Sequence, residues 1–191
     1  MYFDPFKHHR KSYRYKNYDY TTQGAYFVTI CTNNREYLFG NILDRRMHLS
    51  THGQIIKNVW DQMPNHFSSI NLDEFIIMPN HVHGIIQIVG AQFIAPSNES
   101  IWKMSNQEAL NQGVINHAPT VGEIIRYFKG KTAYLIQKQN QSIKVWQRNY
   151  HERIIRTEYE LENIRYYIRE NPRNWEKDPE KFRRGAIYCA Q

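Results

Sequence analysis

The sequence predicts an α+β fold. Three observations carry this. Strand-patterned and helix-patterned segments alternate along the chain. Two apolar runs meet at Pro79-Asn80, a dipeptide that punctuates strands because proline cannot donate into a sheet and asparagine tolerates turn geometry. Two Thr-x-x-Glu signatures, Thr120 to Glu123 and Thr157 to Glu160, mark helix starts in the second half. With 191 residues, the chain has room for one domain with tails and a hydrophobic core that needs no staple. At 41% hydrophobic and 14% aromatic it is too apolar for a disordered chain. Its longest apolar stretches, at 75–78 and 85–89, fall far short of the ~20 residues that span a bilayer, so no membrane partner is expected.

The elements follow in order. Residues 1–20 form a basic, tyrosine-rich arm. They carry no apolar signal core, and a reducing, cytoplasmic setting is expected for a chain with two cysteines so far apart, Cys31 and Cys189. Residues 24–32, rich in β-branched and aromatic side chains, predict a strand. Ile55, Ile56, Val59, Trp60 and Met63 have helical spacing, which predicts a helix within 49–67. Residues 70–89 predict two strands joined as a hairpin near 78–80. Residues 91–119 are polar and weakly periodic, and predict a loop insertion. A helix from Thr120 to about residue 140 puts Ile124, Ile125, Phe128, Tyr134 and Leu135 inward. Residues 143–155 predict a strand or extended segment. The helix opened at Thr157 stops at Asn171-Pro172. Strand, helix, strand, strand, helix, strand is the βαββαβ pattern of a ferredoxin-like sandwich with an antiparallel sheet, here followed by one more helix. The expected domain is 21–175, with 176–191 as a C-terminal tail.

The net charge of +7 is concentrated. Residues 121–156 hold eight lysines and arginines against two glutamates, and the first twenty hold five against two aspartates. The arm interleaves its charges with Tyr13, Tyr15, Tyr18 and Tyr20. Basic side chains neutralise phosphates and aromatic faces stack on unpaired bases, so a nucleic acid is the expected partner. A solvated tail and a solvated helix face have the same composition.

His81-Val82-His83 is the sharpest local feature. Strand alternation puts both imidazoles on one face, with Cα atoms roughly 6.5–7 Å apart. Two neutral imidazoles so placed can hold one divalent cation once a third ligand approaches. Tyr167 and Asn171 lie four apart on the last helix, hence about 40° apart around its axis. Leu161, Ile164 and Ile168 form the apolar stripe, with Tyr167 at its edge and Tyr166 turned away. By spacing alone, such a tyrosine serves packing as readily as chemistry.

Taken together, these motifs resemble a known family. The string MPNHVHGII is similar to the paired-histidine motif of the HUH endonucleases. Tyr167-Ile168-Arg169-Glu170-Asn171 resembles the YxxxN variant of the YxxxQ motif in single-tyrosine insertion-sequence transposases. The block from Val145 to Arg156, VWQRNYHERIIR, is similar to that of the REP-associated tyrosine transposase branch. The resemblance spans about residues 20–175. It implies cutting and rejoining of single-stranded DNA, at hairpin or repeat elements, through a 5′-phosphotyrosine intermediate. It further implies Tyr167 as nucleophile and His81, His83 and Asn171 as ligands to Mg²⁺ or Mn²⁺. Asn171 stands where many relatives have glutamine, and no role follows for His151.

Arg126, Lys129, Lys131, Lys138 and Arg148 are then the candidates for gripping the DNA backbone. No P-loop is present, so no nucleotide cofactor is expected. The sequence leaves open whether the site is built within one copy or across a homodimer. Three other readings stand beside this one, one of them a structural protein with a fortuitous pair of histidines. An HUH replication initiator or relaxase-type nickase fits poorly with a short chain that has one candidate tyrosine and no helicase motif. A non-catalytic ferredoxin-like nucleic-acid-binding module of the RRM kind would show a K/R-G-F/Y-G pattern, which the chain lacks.

Overall fold

The structure is a computed structural model that describes residues 23–89, 119–139 and 142–182. The N-terminal arm, the 91–119 insertion apart from its last residue, and the tail from 183 lie outside the described residues.

Strand β1 (Gly24–Cys31) is followed by a hairpin of β2 (Gly40–Leu43) and β3 (Arg46–Leu49), then helix α1 (Thr51–Asp61). Next come β4 (Ile70–Met78), β5 (His81–Ile88), helix α2 (Val121–Gln137), β6 (His151–Ile155) and helix α3 (Glu158–Glu170). A 3-10 helix, Asn171–Lys177, and a one-turn helix, Pro179–Phe182, complete the described chain. The main sheet has the order β4-β5-β1-β6 with every pair antiparallel. This is the ferredoxin-like order, with α3 added.

Each of the three long helices starts at a side-chain cap, two of them at the predicted Thr120 and Thr157. Ser50 caps α1 by accepting from the Gly53 amide at 3.1 Å. At α2 the box closes from both sides: Thr120 Oγ1 accepts from Glu123 N, and Glu123 Oε2 accepts from Thr120 N at 2.9 Å. The second box is only half made. Thr157 Oγ1 accepts from Glu160 N, but the Glu160 carboxylate turns to the amide of Arg156 at 2.8 Å. The helix predicted within 49–67 ends earlier, at Asp61. Pro64 lies in a separate turn, Met63–His66. Only 151–155 of the extended segment joins the sheet, while Trp146 makes a single bridge to Thr32 and donates Nε1 to Thr132. The β2–β3 hairpin gave no sequence signal. Its turn puts Asp44 and Arg45 at φ 49° and 60°, the left-handed geometry that Asn-Gly usually announces.

Alternation divides the sheet into two faces. Tyr26, Val28 and Ile30 of β1 and Val82 and Ile86 of β5 pack with Ile56 and Trp60 of α1 and Ile124 and Phe128 of α2. The opposite face carries Phe27, Ile85 and Ile155 against Leu161, Ile164 and Ile168 of α3. A register shift in β4 between Leu72 and Phe75 keeps both of these residues in the first core. Beside the shift, Asp73 accepts from Arg165 Nε at 3.0 Å and Glu74 from Arg169 at 2.8 Å, which pins the register of α3.

At Gly84 the first core leaves no space. A Cβ there would lie 2.5 Å from the Trp60 indole, which is itself stacked on Phe75 at 4.1 Å. Gly84→Ala is expected to cost about 1–3 kcal/mol, the usual penalty for overpacking, read as a lower midpoint of urea unfolding.

Candidate active site

β5 runs between β4 and β1, and its first residues meet the end of the sheet. His81 and His83 project toward the α3 side, with their Nε2 atoms 3.1 Å apart. Both are buried. Burial, then the like charge of the other ring and of Arg35, holds His81 well below the usual histidine range. Burial, then Arg35, brings His83 down to about 3. Both rings are thus neutral at physiological pH, the form that binds metals. Each has its other nitrogen anchored: His83 Nδ1 lies 2.8 Å from Thr29 Oγ1, its register partner on β1, and His81 Nδ1 lies 2.8 Å from Asn80 Oδ1.

Asp178 completes the cluster. Its Oδ2 lies 3.5 Å from His81 Nε2, and ligand atoms of His81, His83 and Asp178 all fall within 4.8 Å of one another. Burial pushes the Asp178 carboxyl up to about 6, while an amide hydrogen bond from Glu180 opposes the shift. Asp178 was not foreseen, since it belongs to the segment read as a tail. The available signal was Trp175, a large apolar residue just before that stretch; it is buried and packs against Tyr37 at 5.6 Å between ring centres. The segment is held down by an ion pair between Arg35 and Glu180 and by Asn80 Nδ2 donating to the Glu180 carbonyl at 3.1 Å.

Tyr167 reaches the same place from α3. Its hydroxyl lies 3.2 Å from His83 Nε2, and its ring meets Phe27 edge-on. Burial raises the phenol above its ordinary value, and the charge on Asp178 adds to this; the Asn171 side chain opposes it. Asn171 interacts with both Tyr167 and Asp178, and its buried Oδ1 has no hydrogen-bond partner. His81, His83, Asn171 and Tyr167 therefore converge, with Asp178 added, and all five come from one chain.

The donor set fits a hard-to-borderline divalent cation: two neutral imidazoles, one carboxylate and one amide oxygen. The buried Oδ atoms of Asn171 and Asp178 that lack hydrogen-bond partners support the same reading.

The basic candidates lie elsewhere. Arg126 and Lys131 are exposed on α2, which packs on the sheet face opposite the histidines; Lys138 is exposed at its C-terminal cap and Arg148 on the loop before β6. Lys129 does not belong with them. Its ammonium donates to the carbonyls of Gln147, Arg148 and Asn149 at 2.7, 3.2 and 3.4 Å, and burial lowers it to about 8. It ties α2 to the loop before β6.

Fold and site define a ferredoxin-like sandwich with a tyrosine set over a His-His-Asp cluster. That fold is shared with a solved REP-associated tyrosine transposase bound to a REP hairpin, at a TM-score of 0.53 and 16% identity over 86% of this chain and 74% of that one. No family model matches the sequence. A protein of Haemophilus influenzae, itself uncharacterised, is 41% identical over 171 residues, covering 90% of this chain and 92% of its own. The chain belongs to the family of that protein. Among the described residues, no helix is long and apolar enough to cross a membrane.

Two predictions follow from these environments. As pH falls through about 6.5, the unfolded chain takes up protons at His81 and His83 that the folded site refuses, so stability falls. Asp178 acts oppositely: its folded value of about 6 exceeds the ordinary 3.8, so it favours the fold in acid. Two histidines outweigh one aspartate. In EDTA, the urea midpoint is expected to be lower at pH 5 than at pH 7, with a steeper decline in Asp178→Asn. Separately, Lys129→Met removes the donor to the half-buried Gln147 carbonyl and is expected to cost about 1 kcal/mol of stability, measured by thermal unfolding.

Proposed function

We propose that the protein is a metal-dependent transposase that cuts and rejoins single-stranded DNA at hairpin or repeat elements. The observation that carries this is the Tyr167 hydroxyl standing over His83 within the His81–His83–Asp178 cluster. Sharing a fold with a transposase whose structure holds a REP hairpin supports the choice of a hairpin substrate.

Tyr167 is the nucleophile. Its oxygen forms a bond to the scissile phosphorus as the bond from phosphorus to the 3′-oxygen breaks. The phenol loses its proton and the 3′-hydroxyl gains one, leaving a 5′-phosphotyrosine. Attack by a 3′-hydroxyl reverses the step and restores the diester, so no nucleotide cofactor is consumed. Neutral tyrosine is a weak nucleophile, and its burial makes ionisation harder still. His81, His83, Asp178 and Asn171 would hold the Mg²⁺ or Mn²⁺, which when bound would supply Lewis-acid polarisation of the phosphate. Phe27 and the α3 stripe fix the Tyr167 ring over the cluster. Arg126, Lys131, Lys138 and Arg148 hold the DNA backbone away from the point of cleavage.

The test is a labelled single-stranded hairpin incubated with the protein and Mn²⁺ and run on a denaturing gel. A covalent adduct is expected with the wild type and none with Tyr167→Phe, which should still bind the DNA. His83→Ala should reduce adduct formation at least about a hundredfold. An undiminished adduct in Tyr167→Phe sinks the assignment.

A further inference from the structure

The two histidines differ in how they are oriented, and the difference leads to a residue outside the cluster. Asn80 is wholly buried in the turn between β4 and β5. Its backbone carbonyl accepts from both the amide and the hydroxyl of Thr32, each at 2.9 Å, so the turn is clamped. Its side chain faces two partners. One is the Glu180 backbone carbonyl at 3.1 Å, which can only accept. The amide nitrogen of Asn80 must therefore point there, and its oxygen must point to His81 Nδ1 at 2.8 Å. That oxygen can only accept, so Nδ1 carries the ring hydrogen. A neutral imidazole has one N–H, which leaves Nε2 bare.

We propose that Asn80 is the positioning residue of the site: set by the Glu180 carbonyl, it locks His81 in the Nδ1–H tautomer and turns a bare Nε2 toward His83 and Asp178. The proposal rests on the reading of His81 as a metal ligand. It also assigns the segment 171–182 a second task. The stretch that delivers Asp178 delivers the carbonyl that orients Asn80, so one docking event assembles a ligand and prepares another. The Arg35–Glu180 ion pair, with Arg35 in the left-handed region at φ 58°, holds that carbonyl in place. Partners of this kind fix the tautomer and orientation of ligating histidines.

The test uses the full chain with ¹⁵N-labelled imidazoles. In EDTA, long-range ¹H–¹⁵N correlation spectra are expected to show His81 protonated at Nδ1 in the wild type. Asn80→Ala is expected to shift His81 toward the Nε2–H form and to weaken Mn²⁺ binding, titrated by its paramagnetic effect, about 10–100-fold. Asn80→Asp retains an acceptor against Nδ1 but loses the donor to the Glu180 carbonyl, so it is expected to keep His81 in the Nδ1–H form and to lose less affinity than Asn80→Ala. A purely structural role for Asn80 predicts equal losses in both variants and an unchanged His81 spectrum. An Nε2–H tautomer in the wild type, or wild-type affinity in Asn80→Ala, overturns the proposal. Should Asn80→Ala fail to fold, the wild-type spectrum and Asn80→Asp decide the matter. A wild type that shows the Nδ1–H form yet binds no Mn²⁺ overturns the metal reading and leaves the orientation of His81 by Asn80 standing.

Discussion

Two imidazoles buried without charge at the end of a central strand set the terms for the surrounding structure. Removing a histidine from water strips its hydration and disfavours the protonated form, so every ring nitrogen needs a partner within the protein. Thr29 and Asn80 supply one partner each. The remaining two nitrogens are left facing each other at 3.1 Å, an arrangement that two bare lone pairs tolerate poorly and a shared cation or proton relieves. The rest of the site closes around that point. Asp178 comes from the C-terminal segment, Tyr167 from α3 and Arg35 from the turn after β1.

The proposed chemistry depends equally on α3 keeping its place, since Tyr167 can serve it only if its hydroxyl reaches the cluster. Apolar packing of Leu161, Ile164 and Ile168 fixes the face of the helix but permits sliding along it. The ion pairs of Arg165 with Asp73 and of Arg169 with Glu74 restrict that sliding. Asp73 and Glu74 sit where β4 shifts register, so the irregularity lets one strand serve the first core with Leu72 and Phe75 and still present acids to α3. Charge on the far side of the molecule plays no part in this. The exposed cations of α2 lie across the sheet from the cluster.

Much of this architecture was legible in the residues because it follows from local periodicity. Two apolar runs in 70–89 punctuated by Pro79-Asn80 predict a hairpin, and a period of two places His81 and His83 on one face whatever surrounds them. The capping residues Thr120 and Thr157 mark their helix starts because the orphan amides they satisfy lie within three positions. Tyr167 and Asn171 share a helix edge by the same arithmetic. The β2–β3 hairpin was illegible because Asp44-Arg45 adopts a geometry normally reserved for residues such as Asn-Gly.

What the sequence determined by itself is therefore the set of elements, their order, and the facing of side chains within each. Tertiary structure alone decided which of them meet. Asp178 joins His81 across almost a hundred positions because Trp175 is buried and Arg35 holds Glu180, and neither contact has a local signature. Lys129 reads like its neighbours on a basic helix, yet a passing loop presents it with three carbonyls. Asn80 reads as a turn residue, yet the Glu180 carbonyl makes its amide a fixed acceptor for His81. The physical reason is the same throughout. Periodicity and capping act over a few residues, whereas the partner of a buried polar atom is set by whatever the fold brings beside it.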